Sequence, residues 1–230
     1  MNTPGSVKNT RTISMAAARV AIAAAAAALV LLASLHVLSP EFGPSVRVVS
    51  QYANGHYWWV LSLMFATWGI SSWALAAALW RQLQGIGATI PLGFLMVAGF
   101  GQAMAAVCDI NHPLHNLAGA LGVLGLPIAA LLISRRLARD STLQASTRVL
   151  PWEANLTWIS VVLTFAGLFI MKRGYTLFGH QIIFIGWANL LIVVSHCVWT
   201  ITLASQALRQ NRQTPHSSVG QASGLPLDAK

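Results

Sequence analysis

The sequence predicts an all-α integral membrane protein: a bundle of six transmembrane helices, with the N-terminus and the C-terminus both cytoplasmic. Three observations predict it. Hydrophobic residues make up 56% of the 230-residue chain and charged ones only 8%, against roughly 25% charged in an average soluble domain. Residues 20–40, 48–80, 82–108, 110–134, 154–171 and 174–208 contain no Asp, Glu, Lys or Arg. A bilayer core requires about 20 apolar residues per helix, and hydrocarbon offers the backbone no partner but itself, so each such run must be helical. Third, the basic residues are dealt unevenly. Lys8, Arg11, Arg19, Arg81, Arg135, Arg136, Arg139, Arg148, Arg209, Arg212 and Lys230 fall on one side of the six-helix topology, and only Arg47, Lys172 and Arg173 on the other. Cytoplasmic loops carry the excess of Lys and Arg, so the larger set lies inside.

The elements follow in order. Residues 1–15 are polar and form an N-terminal cytoplasmic tail, and the first helix spans about 16–38, built of alanine and leucine. A basic start before an apolar run also describes a signal peptide, but the run is long and no small-x-small cleavage site closes it before Pro40, which favours a retained anchor. The first connection carries Ser50-Gln51-Tyr52-Ala53-Asn54-Gly55. The second helix, about 57–80, opens with Trp58-Trp59 and closes with Trp80, placing tryptophan at both membrane interfaces. The third spans about 86–107, with Pro91 in its first turns, where a missing donor costs little. The fourth spans about 113–134. Its Gly119, Gly122 and Gly125 recur every third residue and read as a packing face against a neighbouring helix. The fifth spans about 154–171 and the sixth about 181–205. The six spans form one transmembrane domain, 16–205, and the Gln-, Ser- and Gly-rich residues 206–230 read as a disordered cytoplasmic tail. The triplet Asn155-Leu156-Thr157 lies at the inner membrane edge and is set aside as a glycosylation site.

One polar stretch interrupts this pattern. Asp109-Ile110-Asn111-His112-Pro113-Leu114-His115-Asn116 holds one of five acidic residues and two of seven histidines. The predicted topology puts it on the outer side, together with His36, His56 and His180, while His196 lies deeper and reads as a packed histidine bonded to a helix neighbour. Imidazole changes charge near neutral pH and is the commonest metal ligand. Asp109, His115, His112, His56 and His180 are therefore the candidates for a ligand or proton site. A helix starting near Asn111 would put His112 and His115 on one face, which makes them the only candidates for a metal pair. The connection has no Lys or Arg, so a histidinium is the local cation for Asp109, and a coupled Asp109–His115 pair is expected. Against these stands a plainer reading, in which Asn111 or His112 caps the fourth helix and Asp109 answers its dipole.

The net charge of +9 has no basic stripe interleaved with aromatics. It reads as topology signal facing anionic lipid, with the bilayer as partner and no nucleic acid. Cys108 and Cys197 have neither metal nor redox spacing and are expected not to pair, no cofactor motif is present, and no serine sits in a nucleophile elbow.

The run Ser50-x-Tyr52-Ala53-Asn54-Gly55 before a Trp-opened helix resembles a bacterial six-span family. So do Asp109 after the third helix, His115, and Leu126-Pro127-x-Ala129 leading to Leu131-Leu132-x-Ser134. That family is known only as domain of unknown function family 998, and the similarity covers about residues 18–205. The resemblance implies a six-span membrane fold and a multi-pass location in the bacterial inner membrane, and it names no activity. Two function classes follow from the residues. One is a binding, transport-accessory or regulatory membrane protein with an outward His/Asp cluster, taking a small-molecule or lipid ligand. The other is a membrane-embedded metal-dependent hydrolase acting on a lipid, which would need a second histidine pair in a late helix.

Overall fold

The computed structural model describes residues 4–80, 82–83, 86–138, 149–174, 176–177, 180–181 and 184–213. Its helices are α1 (Pro4–Leu38), α2 (Trp58–Leu79), α3 (Ile86–Val107), α4 (His115–Ala138), α5 (Leu150–Arg173) and α6 (Ile185–Gln213). All six are long and apolar enough to cross a membrane, so the chain is a multi-pass helical membrane protein. A short 3-10 helix, Val49–Asn54, lies between α1 and α2. Two strands, β1 (Thr176–Leu177) and β2 (His180–Gln181), pair antiparallel between α5 and α6.

Several helices outrun their charge-free stretches. A run without charges marks the part that sits in hydrocarbon, whereas a helix ends where its backbone is capped. Pro151 sits at the start of α5, where its missing N–H costs nothing. Glu153 in the first turn and Lys172 and Arg173 in the last complement the helix dipole. Gly174 then takes the left-handed conformation (φ 66°) and donates its N–H to Ile170 and Met171, closing the helix as a C-terminal glycine does. Likewise α1 begins at Pro4 and α6 reaches Gln213. Residues 4–15 are thus helical and continuous with the first span, and 206–213 with the last, while 1–3 and 214–230 lie outside the described residues. At the other end of α6, Gln181, expected to open the helix, pairs in β2 instead, and the helix starts at Ile185.

Consecutive helices pack side by side, α1 on α2, α2 on α3, α3 on α4, α4 on α5 and α5 on α6, and α6 closes the ring on α1. Helix α6 also touches α2 across the middle. It is the most buried span, with 61% of its apolar window covered against 28% for α1. Lipid is as apolar as leucine, so close backbone approach must replace the hydrophobic drive. The glycines supply it. A Cβ on Gly101 would run into Gly122 N, and one on Gly69 would lie 2.9 Å from Gly99 O, so α3 is held tightly by both α4 and α2.

The buried side chains form two apolar clusters stacked along the bundle. One gathers Leu35, Tyr52, Met64, Trp68, Leu126 and Val193; the other gathers Leu75, Leu79, Leu95, Ile133, Leu150 and Trp199. Between them on α2 and α6 stands a buried polar group. Ser72 Oγ donates to Gln102 Oε1 at 2.8 Å and lies 3.4 Å from His196 Nε2, which Thr200 Oγ1 approaches at 3.3 Å. Thr200 is one turn from His196 on α6, the helix-neighbour contact expected for this histidine. The His196 ring stands between those of Trp68 and Trp199, at centroid distances of 5.8 and 5.7 Å.

Candidate functional site at the Asp109 end

The alternation of six helices brings the end of α1, the start of α2, the end of α3, the start of α4, the end of α5 and the start of α6 to one end of the bundle. His36, His56, Asp109, His112 and His115 all lie there, and β2 brings His180 to the same end.

Local chemistry shapes the polar stretch. Asp109 Oδ1 accepts the Asn111 N–H at 2.9 Å, and the Asp109 carbonyl accepts the His112 N–H at 2.9 Å. This is the side-chain-closed turn that Asp favours. His112 Nδ1 then accepts the Leu114 N–H at 3.2 Å, and α4 starts only at His115. The plainer reading of His112 as a local cap is the one its contact supports. His112 and His115 do not share a helical face, because His112 precedes the helix. Nor do Asp109 and His115 form an ion pair. The ring of His115 turns the other way, its Nδ1 2.9 Å from the carbonyl oxygen of Cys108, so the turn and the end of α3 take up both groups.

The first connection folds over the same end. Asn189 Oδ1 on α6 accepts the Val49 N–H at 2.8 Å, Gln51 Oε1 accepts the Val48 N–H at 3.1 Å, and Tyr52 Oη donates to Phe42 O at 3.0 Å. Asn111 Nδ2 donates to Asn54 Oδ1 at 2.9 Å, joining this connection to the polar stretch. Gly186 admits the chain closely, since a Cβ there would strike the carbonyl of Pro44. Tyr52 is buried, and burial, then the charge of Glu41, push its phenol above the ordinary value.

Two compartments lie beneath. The larger, about 410 Å³, is bounded by the 3-10 helix, α2, α4, α5 and α6, and its walls include Phe65, Trp68, Val123, Phe165, Leu168 and Ile192. A smaller one, about 290 Å³, lies against Ser50, Trp58, Ser62 and Asp109. Both touch Ser50, Phe65, Ala105, Ile110 and His115, so His115 stands at their junction. Volumes of this size suit a small ligand, and few polar groups in apolar walls is the usual composition. Leu124, Phe165 and Leu168 line the larger compartment yet remain 39%, 52% and 39% exposed, so it opens sideways between α4 and α5.

The candidates therefore divide. Asp109 and His115 meet at the smaller compartment. His112 is exposed and caps a turn, His56 is exposed with its ring edge-on to Tyr57 at 5.0 Å, and the side chain of His180 lies outside the described residues. Among the described residues, no three His, Cys, Asp or Glu side chains are placed to hold a metal ion. Cys108 and Cys197 are buried free thiols.

The stripe Gly119-x-x-Gly122-x-x-Gly125 divides too. Gly122 and Gly125 pack on α3, where added Cβ atoms would lie 3.5 Å from Gln102 N and 3.3 Å from Phe94 O; Gly119 has nothing within 4 Å and faces the larger compartment. Packing explains two of the three glycines. Sequence reasoning did not name Ser50, Asn116, Thr164, Trp68 or Asn189 as site residues. Three carried a signal: Ser50 opens the Ser-x-Tyr-Ala-Asn-Gly run, Asn116 ends the polar stretch, and Asn189 is an amide inside a charge-free helical run.

No curated protein and no solved structure matches the chain. The Tyr52 and Asn54 contacts that seat the first connection belong to the Ser-x-Tyr-Ala-Asn-Gly run, and Ser134, which accepts the Trp199 indole N–H at 3.0 Å, ends the later motif. Residues 21–206, nearly the whole bundle, match the model of the family described as protein of unknown function (DUF998), and the chain belongs to that family.

Proposed function

We propose that the protein is a binding protein of the membrane that holds a small amphipathic or lipid-like molecule at the Asp109 end, which faces outward. One observation carries this reading: an apolar compartment of about 410 Å³, open sideways between α4 and α5, meets a polar-ended one of about 290 Å³ at His115. A chain in the first and a head group at the second matches that division of surface. Transport-accessory and regulatory roles both start from such binding. The excess of basic residues at the opposite end supports the outward orientation.

The test uses Gly119→Leu, which places a side chain in the open space of the larger compartment. Gly93→Leu is the control, because Gly93 also has nothing within 4 Å but lies on an exposed face of α3. Protein purified in mild detergent is extracted, and retained small molecules are quantified by mass spectrometry. Wild type and Gly93→Leu are expected to retain one amphiphile per chain and Gly119→Leu to lose it. Equal retention by all three overturns the reading. A reporter that is active only outside the membrane, fused after Gln213, is expected to be silent; activity there overturns the orientation.

A further inference from the structure

We infer that the head group held at His115 and Asp109 is a hydrogen-bond donor, a primary ammonium on an alkyl chain, rather than a phosphate or a carboxylate. This rests on the binding reading above and adds the chemical class of the ligand.

The Cys108 carbonyl can only accept, so the His115 nitrogen 2.9 Å from it, Nδ1, is the one that carries hydrogen. In the neutral ring the other nitrogen, Nε2, is then a bare acceptor, on a side chain shared by both compartments. Asp109 adds a second acceptor. Its Oδ1 is engaged by the Asn111 N–H, and Oδ2 has no partner among the described residues. A carboxylate has nothing to donate. The smaller compartment thus offers two acceptors and one negative charge. Its other polar side chains are the Ser50 and Ser62 hydroxyls, which can act either way, and the uncharged Trp58 indole N–H, a donor.

No lining residue of either compartment is Lys or Arg among those described. The basic residues at this end, Arg47, Lys172 and Arg173, are exposed, and Arg173 lies over the Phe169 ring, 5.3 Å from its centroid. An anionic head group would meet the Asp109 charge without a cation lining the site. An ammonium would satisfy both acceptors through charge-assisted bonds, the stronger kind. The same chemistry occurs in a free long-chain amine and in a membrane aminophospholipid.

The full chain in phosphatidylcholine nanodiscs is titrated with dodecylamine, dodecyltrimethylammonium, 1-dodecanol and dodecanoate. Dodecylamine is expected to bind tightest, about threefold to tenfold over 1-dodecanol, the range for a partly solvated charge pair, and dodecanoate weakest. Dodecyltrimethylammonium has the charge without an N–H and is expected to fall below dodecylamine. Asp109→Asn keeps the Oδ1 that closes the turn, so the fold is retained, and it is expected to level dodecylamine with 1-dodecanol. Gly119→Leu is expected to lose all four. If all four bind wild type equally and are all lost in Gly119→Leu, the compartment binds chains and the head-group inference fails alone. If none binds wild type, both readings fail. Phosphatidylethanolamine nanodiscs distinguish the sources: displacement of dodecylamine by the lipid assigns the site to the aminophospholipid, and no displacement assigns it to the free amine.

Discussion

Of two glycines in the same bundle, one should be damaged by a substitution that the other tolerates. At Gly101 an added Cβ would strike Gly122 N, and would lie 2.7 Å from Ala118 O and 2.8 Å from Leu121 Cβ. All three are backbone or backbone-attached atoms, so no flexible side-chain end can swing aside, and α3 must move off α4. Overpacking of that kind costs about 1–3 kcal/mol. At Gly119 a Cβ meets nothing within 4 Å. There the gain is the better helix propensity of alanine, at most about 1 kcal/mol. Gly101→Ala is therefore expected to destabilise, Gly119→Ala to be neutral or stabilising, and the gap to be roughly 1–4 kcal/mol. Gly122→Ala should fall near zero, because its nearest contact, 3.5 Å to Gln102 N, is ordinary van der Waals distance. Equilibrium unfolding in mixed micelles, followed by helical circular dichroism, measures all three. Equal losses at Gly101 and Gly119, or a Gly101→Ala protein as stable as wild type, would refute the close α3–α4 approach.

Three further outcomes follow from other contacts. Asn189→Leu orphans the N–H of buried Val49 and is expected to cost about 1–3 kcal/mol, whereas Asn189→Asp keeps an acceptor and should cost less; the same unfolding assay ranks them. Ser72→Ala removes the hydroxyl that joins Gln102 to His196 and is expected to cost about 0.6–1.7 kcal/mol, the range for interhelical bonds in membranes, with no change in dodecylamine affinity. Burial and the Glu41 charge raise the Tyr52 phenol above 10.0, so its neutral form favours the fold. That contribution is complete below about pH 10 and is lost as pH climbs through the higher folded value. Melting curves in alkali should therefore fall more steeply for wild type than for Tyr52→Phe, which itself loses about 0.5–1.5 kcal/mol at neutral pH with the bond to Phe42.

The number of helices was legible because the charge-free runs measure the hydrocarbon-spanning part of each one directly. The expected limits of α3, 86–107, coincide with the observed Ile86–Val107, since the polar turn at Asp109 follows the apolar run at once. The limits of α1, α5 and α6 were expected short, because these helices continue into polar residues where caps, not hydropathy, decide the end. Asp109 and His115 were legible as polar groups at the edge of apolar runs. Their supposed pairing was not, since closeness in sequence cannot tell which way a ring turns, and His115 turned to the Cys108 carbonyl. Ser50, Trp68 and Asn189 are distant in the chain and become neighbours only when α2 and α6 meet. The glycine stripe needed the partner helix to show which of its members are covered.

The bond from Asn189 to Val49 spans 140 positions, and it has a consequence for biogenesis. Helices enter a bilayer individually and associate afterwards. The first connection emerges early, but its anchor, and the Gly186 that lets it lie close, arrive with the last span. Until α6 inserts, the 3-10 helix has no seat, and the compartment beneath it lacks one wall and part of its roof. On the proposed binding role, the site is completed only at the end of synthesis, in a single step, and a chain truncated before α6 is expected to reach the membrane with five helices and no closed compartment.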